Sequence, residues 1–181
     1  MAQINIFENF DNLHIVGNSS IPANTLQIQR VYIPGSLSFN VPSVVFTKGD
    51  SSDASFSVSL GLYSLTGNTL ALANSASGST NGISAILQWF SMATSTTQNI
   101  SPGEWYLGFV YATSSRSNIT FRGNIWPASP GAGASPTSFI RGRYTVSVTN
   151  IPASISTSDL LKELFSNTST SATQPYIVIS A

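Results

Sequence analysis

The stretch SPGEWYLGFVYAT, Ser101 to Thr113, decides the fold. It opens on a Pro-Gly turn and then runs apolar with period two. Trp105, Leu107, Phe109 and Tyr111 fall on one side, and Tyr106, Gly108, Val110 and Ala112 on the other. Successive side chains of a strand point to opposite sides of the sheet, so a strand with one wet face is polar at alternate positions. No charge occurs between Trp105 and Ala112. Both sides are therefore expected to be covered, one by the core of the domain and the other by a flanking segment or a second subunit. Tyr106 and Val110, on the second side, are the candidate subunit-interface residues.

Outward from this stretch the chain reads as short strands separated by turn residues. In ASFSVSLGLY, Ala54 to Tyr63, the residues Phe56, Val58, Leu60 and Leu62 point inward while Ser55, Ser57, Ser59 and Gly61 point out. Thr66-Gly67-Asn68 is a hairpin turn leading to Leu70 and Leu72. Further strands are expected at Thr25–Pro34, around Leu37–Val41, at Ile83–Met92, Asn118–Trp126, Phe139–Thr149 and Tyr176–Ser180. Pro127 to Ser138 is a Pro/Gly/Ala/Ser loop. One short helix is expected near the C-terminus, capped by Ser156 with Asp159 three residues on and striped by Leu160, Leu161, Leu164 and Phe165. Roughly eight to ten strands at this spacing predict an all-β, jelly-roll-like antiparallel β-sandwich over residues 25–181. Residues 1–24 form a distinct leader of irregular pattern, expected either to dock on another surface, with Ile4, Ile6, Phe7 and Phe10 as its candidate docking residues, or to wrap on its own domain as an arm.

Composition narrows the function. Of 181 residues only 8% are charged, against about 25% in an ordinary globular chain, and seven basic residues balance seven acidic ones. Nucleic acid is not an expected partner, because its backbone is bound by clustered Lys and Arg. A neutral surface built from Ser, Thr, Asn and Gly is instead prone to association. There is no cysteine, so disulfides and thiolate metal sites are excluded. The first residues carry neither a basic region nor an apolar run, so no signal peptide is expected, and no stretch is apolar enough for membrane insertion. Sequons at Asn18, Asn99, Asn118 and Asn167 are what chance produces in so Ser/Thr/Asn-rich a chain.

Catalytic chemistry is poorly supplied. The single histidine, His14, lies in the leader, so no catalytic residue, cofactor site or metal site is assigned. Glu8, Asp11 and His14 are ligand types at spacing three, but their surroundings do not read as the helix that would gather them. Asp50 and Asp53 fit a solvated hairpin loop better than a calcium site. Glu104 is the one acid beside the aromatic strand and is expected to be exposed at its start, too isolated for a two-carboxylate glycosidase. Trp89 and Trp105 sit within apolar strands and are expected in the core. Trp126 stands where a strand meets the Pro/Gly loop. With Arg122, Asn124, Arg141 and Arg143 it forms a candidate glycan or interface patch, the alternative being Arg stems laid over apolar surface.

The segments RVYIPGSL (Arg30–Leu37), GLYSL (Gly61–Leu65), SPGEWYLGFVYA (Ser101–Ala112) and IPASISTSDL with QPYIVIS (within Ile151–Ser180) are similar to β-sandwich domains of bacteriophage virion proteins. Such domains occur in tail fibres, receptor-binding tips, head fibres and capsid decoration proteins. The resemblance implies a homotrimeric jelly roll held on capsid or tail proteins through its N-terminal segment. It also implies a virion-surface location after synthesis in the host cytoplasm, host glycan as a further partner, and no enzyme activity. A soluble carbohydrate-binding module or lectin is the alternative from a different class.

Overall fold

The computed structural model describes residues 5–8, 17–20, 23–39, 41–48, 56–80, 87–91, 98–113, 119–125, 141–144, 146–163, 173–175 and 177–180. In chain order the strands are β1 (Asn5–Glu8), β2 (Gly17–Ser20), β3 (Gln27–Ile33), β4 (Leu37–Phe39), β5 (Val41–Lys48) and β6 (Phe56–Thr66). Then come β7 (Thr69–Thr80), β8 (Leu87–Ser91), β9 (Gln98–Ile100), β10 (Gly103–Thr113) and β11 (Ile119–Ile125). The last five are β12 (Arg141–Tyr144), β13 (Ser154–Ser156), β14 (Leu160–Glu163), β15 (Thr173–Pro175) and β16 (Ile177–Ser180). They pair antiparallel throughout, as the expected all-β sandwich. One sheet runs β13-β7-β6-β10-β3-β12-β14; the other runs β1-β16-β5-β11-β15, with β2 on β11 and β8 on β5; β4 and β9 make a ribbon.

The aromatic stretch is β10, at the centre of the first sheet, between β6 and β3. Its period-two pattern sorts into two separate cores. Leu107, Phe109 and Tyr111 join Val58 and Leu60 of β6 on the first face, where Leu37 and Ile100 of the ribbon also pack. Tyr106 and Val110 join Leu26, Ile28 and Tyr63 on the second. Gly103 starts the strand at φ 141°, in the region that favours glycine. The β6–β7 hairpin closes through Gly67, at φ 59° in the first of two central positions, as the sequence predicts.

One irregularity in that hairpin decides which side chains reach which core. Leu62 pairs with Asn74 and Tyr63 with Leu72, so Ala73 has no partner. An extra residue in one strand exchanges the faces beyond it. Leu70 and Leu72 therefore face the second core, whereas Ala76, of the same parity, faces the first.

The first sheet curls on itself. Seven strands laid flat would set β13 and β14 about 29 Å apart, at about 4.8 Å per step. Yet Ser156 and Leu160 are joined through Thr157–Asp159, which span at most about 14 Å even fully extended. The two ends of the sheet must approach each other, and Ile155 of β13 and Leu160 of β14 do meet in one cluster. Residues 146–153 cross the open side between them. Main-chain bonds pin this strap, Val148 N to Asn24 O (2.9 Å) and Leu72 N to Ala153 O (2.9 Å), and the elements on either side of it, Tyr144 N to Leu26 O (3.0 Å) and Thr157 N to Asn68 O (2.8 Å). Asn24 sits at φ 58°, a left-handed conformation that Asn tolerates, and its own N–H donates to Tyr111 O at 2.8 Å.

One expectation is corrected here. The C-terminal helix is a single 3-10 turn, Thr157–Asp159, followed directly by strand β14. Ser156 does cap it, its hydroxyl accepting from Ser158 N at 3.4 Å. Beyond that turn, registered pairing of Leu160 with Tyr144 and Leu161 with Arg143 overrides the helical stripe, and Leu160 is buried in the second core. Leu164 and Phe165 lie outside the described residues. Of the two readings of the leader, the structure shows an arm on its own domain: β1 pairs with β16 and β2 with β11 in the second sheet.

Candidate functional site

The second face, expected to be covered by a flanking segment or a second subunit, is sealed from within the chain. Tyr106 is 1% exposed and Val110 is fully buried, so neither offers a surface for a subunit contact. The curl of the sheet and the strap, through Val148 and Ile151, cover them. Ser59, expected to face solvent, is buried on the same side, and so is Gly61. Gly61 and Gly108 pair directly across β6 and β10. Together they leave a notch that the ring of Tyr63 occupies: a Cβ on Gly108 would stand 2.9 Å from Tyr63 Cε2, and one on Gly61 would stand 3.1 Å from it. The Tyr63 hydroxyl donates to Pro152 O in the strap at 2.9 Å.

Above this core, at the β10 start, lies the cluster with the most recognition chemistry among the described residues. The β3–β10 register sets Arg30 opposite Tyr106 and Tyr32 opposite Glu104. All four sit at the parity of the second face: Tyr106 lies in its buried core, while Arg30, Tyr32 and Glu104 lie beyond the point where the strap covers it. Opposed residues of an antiparallel pair hold their Cβ atoms about 4.5–5.5 Å apart. Tyr32 is 70% exposed, and Glu104 and Arg30 are half-exposed. Arg30 Nη1 stands 3.7 Å from Glu104 Oε2, while the Tyr106 hydroxyl donates to Glu104 Oε1 at 3.0 Å. On the opposite face Trp105 packs half-buried against the first core, as expected, with Nε1 donating to Ser101 O at 2.9 Å.

No protein-family model matches the chain, and no curated protein matches it significantly.

Of the other predicted residues, Arg122 and Asn124 lie in β11 and Arg141 and Arg143 in β12. Those strands belong to different sheets, so strand adjacency does not assemble the patch that was expected from neighbouring strands. Trp126 lies outside the described residues. In the leader, Ile6 and Phe7 are in β1, with Phe7 opposite Ile179, while Ile4 and Phe10 lie outside the described residues, as do Asp11, His14, Asp50 and Asp53. Among the described residues no three His, Cys, Asp or Glu side chains gather as for a metal ion. Tyr32 was missed because alternation alone reads it as one apolar position in QRVYI; only the register against Glu104 makes it part of a cluster.

Burial holds three tyrosines neutral. The phenol of Tyr106 is pushed up to about 12 by burial and by its bond to Glu104. Burial also raises Tyr111, and raises Tyr63 further still. In the unfolded chain phenols ionise near pH 10. Between about pH 10 and 12 the unfolded chain therefore releases protons that the folded chain keeps, so stability is complete below about pH 10 and falls as the pH rises through that window. Absorbance at 295 nm, followed alongside circular dichroism, should show these tyrosines ionising with unfolding in one cooperative step. Smooth ionisation of all six tyrosines near pH 10 with unchanged dichroism would contradict the burial.

Proposed function

We propose that this chain is a non-enzymatic structural protein of a bacteriophage virion surface, of the capsid-decoration, head-fibre or tail-fibre kind. In this reading it assembles as a homotrimer on other virion proteins and presents its sandwich outward, where it touches host glycans. The observation that carries the reading is an all-β sandwich of antiparallel sheets in a chain with only 8% charged residues and no net charge. Such a surface repels copies of itself weakly and favours a life in an assembly. The sequence likeness to virion β-sandwich domains points the same way.

The sealed second face changes how the trimer is built. Tyr106 and Val110 are withdrawn as its contacts, and subunits associate through other surfaces. Docking through the leader is likewise recast: with β1 and β2 paired in the second sheet, attachment uses an arm that is also part of the fold.

Density-gradient fractionation of particles from the source lysate tests the reading. Peptides of this chain should band with particles, and light scattering of the purified protein should give the mass of three chains. A chain found only in the soluble fraction, as a monomer, overturns the virion reading in favour of a carbohydrate-binding module, which the exposed Tyr32 beside Glu104 would suit.

A further inference from the structure

We propose that Tyr32, Glu104 and Arg30 form a binding site for a neutral pyranose at the mouth of the curled sheet. The proposal deepens the glycan-contact part of the function above and rests on that part alone, not on the virion location. It also moves the contact away from the Trp126 patch to residues that the fold brings together.

The platform is Tyr32. Its ring is 70% exposed, yet it stands on a paired strand, so little freedom is lost when a sugar lays its C–H face on it. Beside it, Glu104 is held from both oxygens: Oε1 by the Tyr106 hydroxyl at 3.0 Å and Oε2 by Arg30 at 3.7 Å. An ionised carboxylate has about four lone-pair sites, so each oxygen keeps acceptor capacity toward solvent. Two such acceptors match a vicinal diol, and the Arg30 guanidinium supplies N–H donors to a sugar oxygen. Because Tyr106 is buried and anchors the carboxylate from below, the acceptor is oriented before any ligand arrives.

Charge selects the ligand class. Glu104 and Arg30 cancel locally, and the chain is neutral overall. A sialic or uronic acid would bring its carboxylate beside Glu104, whereas a neutral sugar brings none.

The test is saturation-transfer NMR on the intact protein with methyl glycosides of galactose, glucose, mannose and N-acetylglucosamine, with sialyllactose as the anionic arm. At least one neutral glycoside should receive saturation, strongest at ring C–H protons. Tyr32→Ala should weaken that binding at least about tenfold, equivalent to about 1.4 kcal/mol. Tyr32→Phe should retain it, and Glu104→Gln should weaken it while leaving the fold unchanged, because the amide oxygen still accepts from Tyr106. No transfer to any neutral glycoside overturns the site, as does binding indifferent to both Tyr32→Ala and Glu104→Gln. Preference for sialyllactose overturns the neutral-sugar assignment. Failure here leaves the particle-banding result untouched, and a chain that binds sugar but never bands with particles sinks the virion reading alone.

Discussion

Val110→Asp is expected to unfold the chain, not to dissociate an assembly. Val110 is fully buried in the second core and pairs with the buried Ser59 on β6. A carboxylate there has no described cation beside it. It must either ionise unpaired or take up a proton, and leaving a buried charge uncompensated costs about 3–5 kcal/mol. Domains of this size hold about 5–15 kcal/mol in all, so the variant should melt far below the parent or accumulate as aggregate. Thermal unfolding by circular dichroism, with light scattering on the same sample, separates the alternatives. Were the face an intersubunit contact, the variant would remain folded, melt near the parent temperature and merely lose mass. That outcome would mean the curl and strap do not cover Val110.

The same residue shows how far the sequence could be read. Unbroken apolar alternation from Trp105 to Ala112 required two covered faces, and β10 has two. The hairpin at Gly67 was legible because it depends on neighbours in the chain. What covers the second face was not, because it depends on the pairing of Ser154–Ser156 with Thr69–Ala71, more than eighty residues away. Leu160 and Leu161 fit a helical stripe and a strand equally well, and only the pairing with β12 decides between them. Gly61 and Gly108 carried a readable hint, since glycine within a strand often marks a close approach of another group. The approaching groups are Tyr63 at Gly108, and Ile151, Leu72 and Tyr63 at Gly61. The candidate site was half legible: Glu104 was placed at the exposed start of β10, but its partners Arg30 and Tyr32 come from a strand more than seventy residues earlier. Likewise Trp126 and its arginines looked like one patch because their strands follow one another in sequence, whereas β11 and β12 belong to different sheets.

Tyr63 and Gly108 should prove strongly coupled. Tyr63 is fully buried, and removing an aromatic side chain of that kind, as in Tyr63→Ala, costs about 3–5 kcal/mol. Tyr63→Phe keeps the ring and loses only the 2.9 Å bond to Pro152 O, for about 0.5–1.5 kcal/mol. Gly108→Ala, in the parent background, drives a methyl to 2.9 Å from Tyr63 Cε2 and 3.3 Å from Leu26 Cδ1. The ring has little room to retreat, with Gly61 beneath it and its hydroxyl tied to the strap, so overpacking should cost about 1–3 kcal/mol. With Tyr63 already truncated, the same methyl enters the vacated space and fills part of it. The cost of Gly108→Ala should then shrink or change sign, giving a coupling of about 1–3 kcal/mol in a double-mutant cycle measured by urea denaturation. Effects that add to within about 0.5 kcal/mol would mean that the ring does not rest on the glycine pair.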